Sequence, residues 1–142
     1  MSSPFFSIVI PTRNRGHELF YTLKTCVEQD FPEKHGLDYE IVVSDNASTD
    51  DIPAVVERIA SPRVRYIRTD GYLSMTDSWE FAVRQARGDY VGVVCTDDGY
   101  LLDTLSNVFA IIRRTGAEAV TFQGAYYNWP NSPDPQTRNT LR

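Results

Sequence analysis

At 142 residues the chain is long enough for one domain with a real core, and its 42% hydrophobic and 23% charged content is that of an ordinary globular protein. The net charge of −5 argues against nonspecific nucleic-acid binding, and no apolar run approaches the ~20 residues of a membrane span. Met1-Ser2-Ser3-Pro4 shows no leader pattern, and Cys26 and Cys95 make no disulfide framework, so the expected setting is reduced and cytoplasmic.

The chain alternates strands and helices. Residues 5–10 are apolar and β-branched, and Pro11 stops that strand. Thr12-Arg13-Asn14-Arg15-Gly16 is a turn, with Asn14 placed to cap the next helix. Residues 17–29 form that helix, with Leu19, Phe20, Leu23, Cys26 and Val27 on one face. A polar connection over 33–38 leads to a strand at 39–43. Ser44 to Asp51 is then a dense run of turn and cap residues, with Asp50 expected to cap a short helix over 52–60.

A third strand covers 64–68. Residues 75–87 read as a helix with Trp79, Ala82, Val83 and Ala86 facing the core and Gly88 at its end. Val91, Val93 and Val94 mark a buried fourth strand, which runs directly into Thr96-Asp97-Asp98. Leu105, Val108, Phe109, Ile111 and Ile112 mark a further helix, and 117–122 a fifth strand. The order βαβαβαβαβ predicts an α/β fold, an open and mainly parallel sheet with helices on both faces. Residues 1–125 form the domain and 126–142 an irregular, proline-rich tail.

Three polar clusters then follow strand C-termini: 11–15, 45–50 and 96–98. In open α/β sheets ligands bind at that edge. Asp97 and Asp98 repel each other unless a divalent cation relieves them, and carboxylate oxygens suit Mg²⁺ or Mn²⁺. Solvated caps are the plain alternative. No G-x-G-x-x-G follows the first strand and no P-loop occurs, which disfavours a dinucleotide oxidoreductase. A receiver-like signalling domain needs a Lys after the fifth strand, where Gln123-Gly124 stand.

Ser7-Ile8-Val9-Ile10-Pro11-Thr12-Arg13-Asn14-Arg15, Glu40-Ile41-Val42-Val43-Ser44-Asp45, Ala86-Arg87-Gly88-Asp89-Tyr90-Val91 and Thr96-Asp97-Asp98-Gly99 occur in the order of four motifs of one family. On these residues the chain resembles the family 2 glycosyltransferases, with their GT-A, Rossmann-like nucleotide-diphospho-sugar transferase fold. The resemblance covers about 6–123 and implies the donor-binding half of an inverting enzyme of cell-wall or polysaccharide synthesis. That enzyme would move a sugar from a nucleotide diphosphate sugar, typically a UDP-sugar, to an acceptor hydroxyl, such as that of a glycan.

The resemblance places Pro11, Thr12 and Arg13 near the base and has Asp45 accept a hydrogen bond from it. Asp97 would face the ribose or the outer shell of the metal. Asp98 would bind Mn²⁺ or Mg²⁺. Thr96 stands where the first Asp of a D-x-D motif is usual. The family's catalytic base has no counterpart here and is expected beyond residue 142. A non-catalytic nucleotide-sugar-binding module is the alternative. The apolar Phe122, Tyr126, Tyr127 and Trp129 predict self-association into a homo-oligomer.

Overall fold

The computed structural model describes residues 3–121 and Gly124. Residues up to Asn107 form one compact unit, and those from Val108 onward belong to a second. The first unit holds a sheet of four parallel strands, β1 (Phe6–Thr12), β2 (Tyr39–Asp45), β3 (Val64–Arg68) and β4 (Tyr90–Val93), in the order β3-β2-β1-β4. Every residue of β1 is buried, as the innermost position of an apolar, β-branched segment requires.

Helices cover both faces, as strand alternation dictates. Val9 and Val42 are register partners and pack on Ala82 of α4 (Met75–Val83), with Ile67 and Ala86 alongside. One residue out of phase, Tyr39 points to the other face. Its hydroxyl donates to the carbonyls of Cys26 and Val27 at the end of α1 (Gly16–Val27), each at 3.0 Å.

The structure corrects several sequence expectations. A short helix, α2 (Phe31–His35), lies in the expected polar connection; Pro32 is tolerated in its first turn, and Gly36 ends it in the left-handed region at φ 63°. Asp51, not Asp50, caps α3 (Ile52–Ile59) by accepting from the Ala54 N–H at 3.2 Å. Asp50 instead accepts from the Gly16 N–H at 2.8 Å, so it satisfies the start of α1 across a gap in sequence. Asn14 does not cap α1; at φ 51° its side-chain oxygen accepts from the Thr49 N–H at 2.7 Å. The expectation that the fourth strand is buried fails at Val91 and Val93, 43% and 38% exposed, while Val94 is buried. Among the described residues β4 pairs with β1 alone, so it is an edge strand.

Helix α5 (Thr104–Thr115) continues into the second unit and ends before Gly116, which sits at φ 68°. The described part of the expected fifth strand, 117–121, forms no strand. Phe122, Tyr126, Tyr127 and Trp129, and with them the expected self-association surface and tail, lie outside the described residues.

Candidate functional site

The C-terminal ends of β1, β2 and β4 open into a cleft of about 430 Å³. Pro11, Thr12, Arg13 and Arg15 line it from the end of β1 and the turn after it. Asn46 follows β2, and Cys95, Thr96 and Asp97 follow β4. The wall opposite is Tyr72 and Leu73 of the β3–α4 loop with Met75, Ser78 and Trp79 of α4.

Each loop is held by its neighbours. The Asn46 side chain clamps Leu73, accepting from its N–H at 2.8 Å and donating to its carbonyl at 2.9 Å. That clamp carries Tyr72 to the cleft. The Arg13 guanidinium donates to the Asn46 carbonyl at 3.0 Å and lies 4.4 Å from the centre of the Tyr72 ring, a cation–π contact. The buried Thr96 donates its hydroxyl to the Pro11 carbonyl at 3.2 Å, tying the end of β4 to that of β1.

The acidic loop rests on a polar stripe of α1. Thr22, fully buried, shares its one hydroxyl proton between the carbonyls of Thr96 and Asp98, each 2.6 Å away. Thr25 accepts from the Tyr100 N–H at 3.1 Å, and Gln29 donates to the Leu101 carbonyl at 2.8 Å. Thr22 and Thr25 lie one turn apart on α1 and Gln29 lies just past its end, so α1 and the residues after it fix the loop along its length. Thr22→Val keeps the shape and removes the proton, leaving two carbonyls without their donor. We expect a loss of about 1–3 kcal/mol in denaturant unfolding, largely restored in Thr22→Ser.

This loop brings Cys95, Asp97 and Asp98 together, with one sulfur and two carboxylate oxygens within 4.8 Å of one another. Both carboxylates are exposed, and Asp97 is held by the Arg15 guanidinium at 3.0 Å. Burial raises the Cys95 thiol above its ordinary range, and the Asp98 and Asp97 carboxylates raise it further. The thiol therefore stays neutral at physiological pH, and the charge of the trio is that of its two carboxylates.

Asp45 stands apart. It has no exposed surface and does not line the cleft. Its Oδ2 accepts from the Tyr66 hydroxyl and from Arg68, each at 2.7 Å, and its Oδ1 from the Ser48 N–H at 2.8 Å. Asp45 is in phase with Tyr39, on the α1 side of the sheet, where Ser48, Tyr66 and Arg68 occupy its carboxylate.

The model of the family described as glycosyl transferase family 2 matches residues 7–142. The chain belongs to glycosyl transferase family 2. The poly(ribitol-phosphate) β-N-acetylglucosaminyltransferase TarS of Staphylococcus aureus is 26% identical over 138 residues, 95% of this chain and 23% of TarS. The GalNAc(5)-diNAcBac-PP-undecaprenol β-1,3-glucosyltransferase of Campylobacter jejuni is 32% identical over 108 residues, 74% of this chain and 33% of that protein.

Among solved structures, TarS residues 1–349 in complex with UDP superpose with a TM-score of 0.70 at 27% identity. That match covers 78% of this chain and 32% of the TarS chain. The mannosyltransferase PcManGT of Pyrobaculum calidifontis, in complex with GDP-Man and Mn²⁺, gives 0.67 at 27% identity, covering 79% and 33%. The four-stranded parallel sheet with its helices matches these GT-A structures. The chain spans about a quarter to a third of the length of these relatives.

In this family 2 chain, five of the seven residues singled out from sequence line the cleft: Pro11, Thr12, Arg13, Thr96 and Asp97. Asp98 joins the neighbouring trio, and Asp45 braces the sheet behind it. Sequence reasoning missed Arg15, Asn46, Tyr72 and Cys95. It also assigned Trp79 to the core, yet Trp79 is 38% exposed and faces the cleft. Arg15 and Asn46 adjoin residues already selected, and that adjacency was the only signal for them. Trp79 shares the apolar stripe of α4, and periodicity cannot separate the core end of a stripe from its solvent end.

Proposed function

We propose that this chain is the donor-binding part of a glycosyltransferase that takes a nucleotide diphosphate sugar, a UDP-sugar by preference, and passes the sugar to an acceptor hydroxyl with inversion. The observation that carries the reading is the convergence of the ends of β1, β2 and β4 on one cleft, with Cys95, Asp97 and Asp98 grouped at its β4 side. The order of the strands then orders the ligand. The base lies toward Arg13, Asn46 and Tyr72, with Pro11 and Thr12 beneath it. The diphosphate lies toward Asp97 and Asp98.

Two hard carboxylate oxygens beside a neutral sulfur fit Mn²⁺ or Mg²⁺, with Asp98 as the principal ligand and Asp97 beside it. Bound there, the cation would neutralise charge that builds on the leaving diphosphate. Asp45 serves as a positioning residue, fixing the end of β2 through Ser48, Tyr66 and Arg68. The base that deprotonates the acceptor is assigned to none of the cleft residues. Two free thiols suit a reducing, cytoplasmic setting. Among the described residues no helix is long and apolar enough to cross a membrane.

Calorimetry of UDP, GDP and ADP, each with and without Mn²⁺, tests the reading. UDP should bind best, Mn²⁺ should tighten it, and Asp98→Asn should abolish the tightening without changing the circular dichroism spectrum. Equal affinity for the three nucleotides removes the base preference, and no binding of any of them overturns the reading as a whole.

A further inference from the structure

We propose that Arg15 exchanges partners during ligand binding: it holds Asp97 in the free cleft and turns to the diphosphate once a divalent cation takes Asp97. The inference rests on the nucleotide-sugar reading and adds a residue to it. The contact spans the cleft, from the turn after β1 to the loop after β4, and both residues line the same space.

Three observations carry the exchange. The first is exposure. The Arg15 and Asp97 side chains are 53% and 57% exposed, and an ion pair so solvated is weak, so a stronger partner displaces it readily. The second is geometry. The Asp97 oxygen that belongs to the trio sits within 4.8 Å of the Asp98 oxygen and the Cys95 sulfur. A divalent cation drawn into that trio meets the Arg15 charge at the same carboxylate, and the two cations repel.

The third is charge. One divalent cation balances Asp97 and Asp98 and leaves the two negative charges of a sugar diphosphate uncompensated. At the N-terminus of α1 the first N–H, that of Gly16, is already taken by Asp50. Arg13 is held by the Asn46 carbonyl and the Tyr72 ring on the other side of the cleft. Among the described cleft residues, Arg15 is the remaining cation. A guanidinium released from one carboxylate is a bidentate donor suited to phosphate oxygens.

The exchange predicts effects of opposite sign in one variant. With Arg15→Gln, Mn²⁺ alone should bind about threefold more tightly, because its competitor is gone. UDP and inorganic pyrophosphate, each with Mn²⁺, should bind about tenfold more weakly, a loss of ~1.4 kcal/mol. Uridine, which has no phosphate, should bind as before, and Arg15→Lys should recover part of the pyrophosphate affinity. Calorimetry on the 142-residue chain reads all four ligands, with circular dichroism checking the fold.

Unchanged Mn²⁺ affinity overturns the exchange, as does a loss for Mn²⁺ and UDP together. Undiminished pyrophosphate affinity also overturns it. If the unsubstituted chain binds Mn²⁺ and pyrophosphate but no nucleotide, the donor reading fails, and the Mn²⁺ and pyrophosphate arms still decide the role of Arg15.

Discussion

Asp45→Ala is expected to lower the unfolding free energy by roughly 2–4 kcal/mol in denaturant titration. The carboxylate is fully buried and holds Tyr66, Arg68 and the Ser48 N–H. Its removal strands the buried Ser48 N–H and the Tyr66 hydroxyl. The Arg68 side chain is 44% exposed and can return to water, which keeps the cost below that of a wholly buried pair. The same residue sets a pH dependence. Burial alone would raise the Asp45 carboxyl, but hydrogen bonds from Ser48 and Tyr66 and the charge of Arg68 outweigh it and hold it below the usual range.

A carboxyl lowered on folding contributes stability that is fully present above its unfolded value, about 3.9. That contribution is lost as pH falls through the lower folded value. The unsubstituted protein should therefore lose more stability than Asp45→Ala as pH falls from about 5 toward 3. A variant within 0.5 kcal/mol of the unsubstituted protein, or two parallel pH profiles, would refute the bracing role. Because Asp45 is buried and does not line the cleft, its loss should act on nucleotide affinity less than on stability.

Gly88→Ala is the second large effect, expected at about 3 kcal/mol. A Cβ at Gly88 would lie 2.7 Å from the Phe6 carbonyl carbon and 2.7 Å from the Ser7 nitrogen. Both atoms are backbone of the innermost strand and cannot move aside. The Gly88 N–H also donates to the Ser7 hydroxyl at 2.8 Å, and that hydroxyl donates to Glu40 at 2.8 Å, so pushing the segment outward breaks the link between β1, β2 and the entry to β4. Gly71→Ala is the control. Nothing lies within 4 Å of its added Cβ, and its stability should stay within about 0.5 kcal/mol. Equal unfolding midpoints for the two variants would show that the close approach at Gly88 is not needed.

Much of this molecule was legible in its sequence. The apolar runs at 5–10, 39–43 and 64–68 and the periodic stretches between them located three strands and the main helices. Their alternation gave the parallel sheet, because parallel strands require crossovers. The ordering of four motifs gave the family. The same alternation placed the clusters at 11–15 and 96–98 on one edge, since in a parallel sheet all strand ends of one kind lie together.

Periodicity reports that one side of an element is apolar, but not how much of that side a neighbour covers. It therefore read Val91 and Val93 as buried, although among the described residues β4 pairs with β1 alone, and put Trp79 in the core, although Trp79 lines the cleft. A turn residue shows its capacity to accept a hydrogen bond but not its donor, so Asp50 was assigned to α3 when folding gives it the first N–H of α1. Only the tertiary structure decided which face of β2 carries Asp45 and which residues meet across the cleft. The face depends on the register of β2 against β1, and the pairing of Arg15 with Asp97 joins residues 82 positions apart in the chain. Short-range sequence patterns encode local geometry, whereas such contacts exist only after the sheet has assembled and brought its strand ends together.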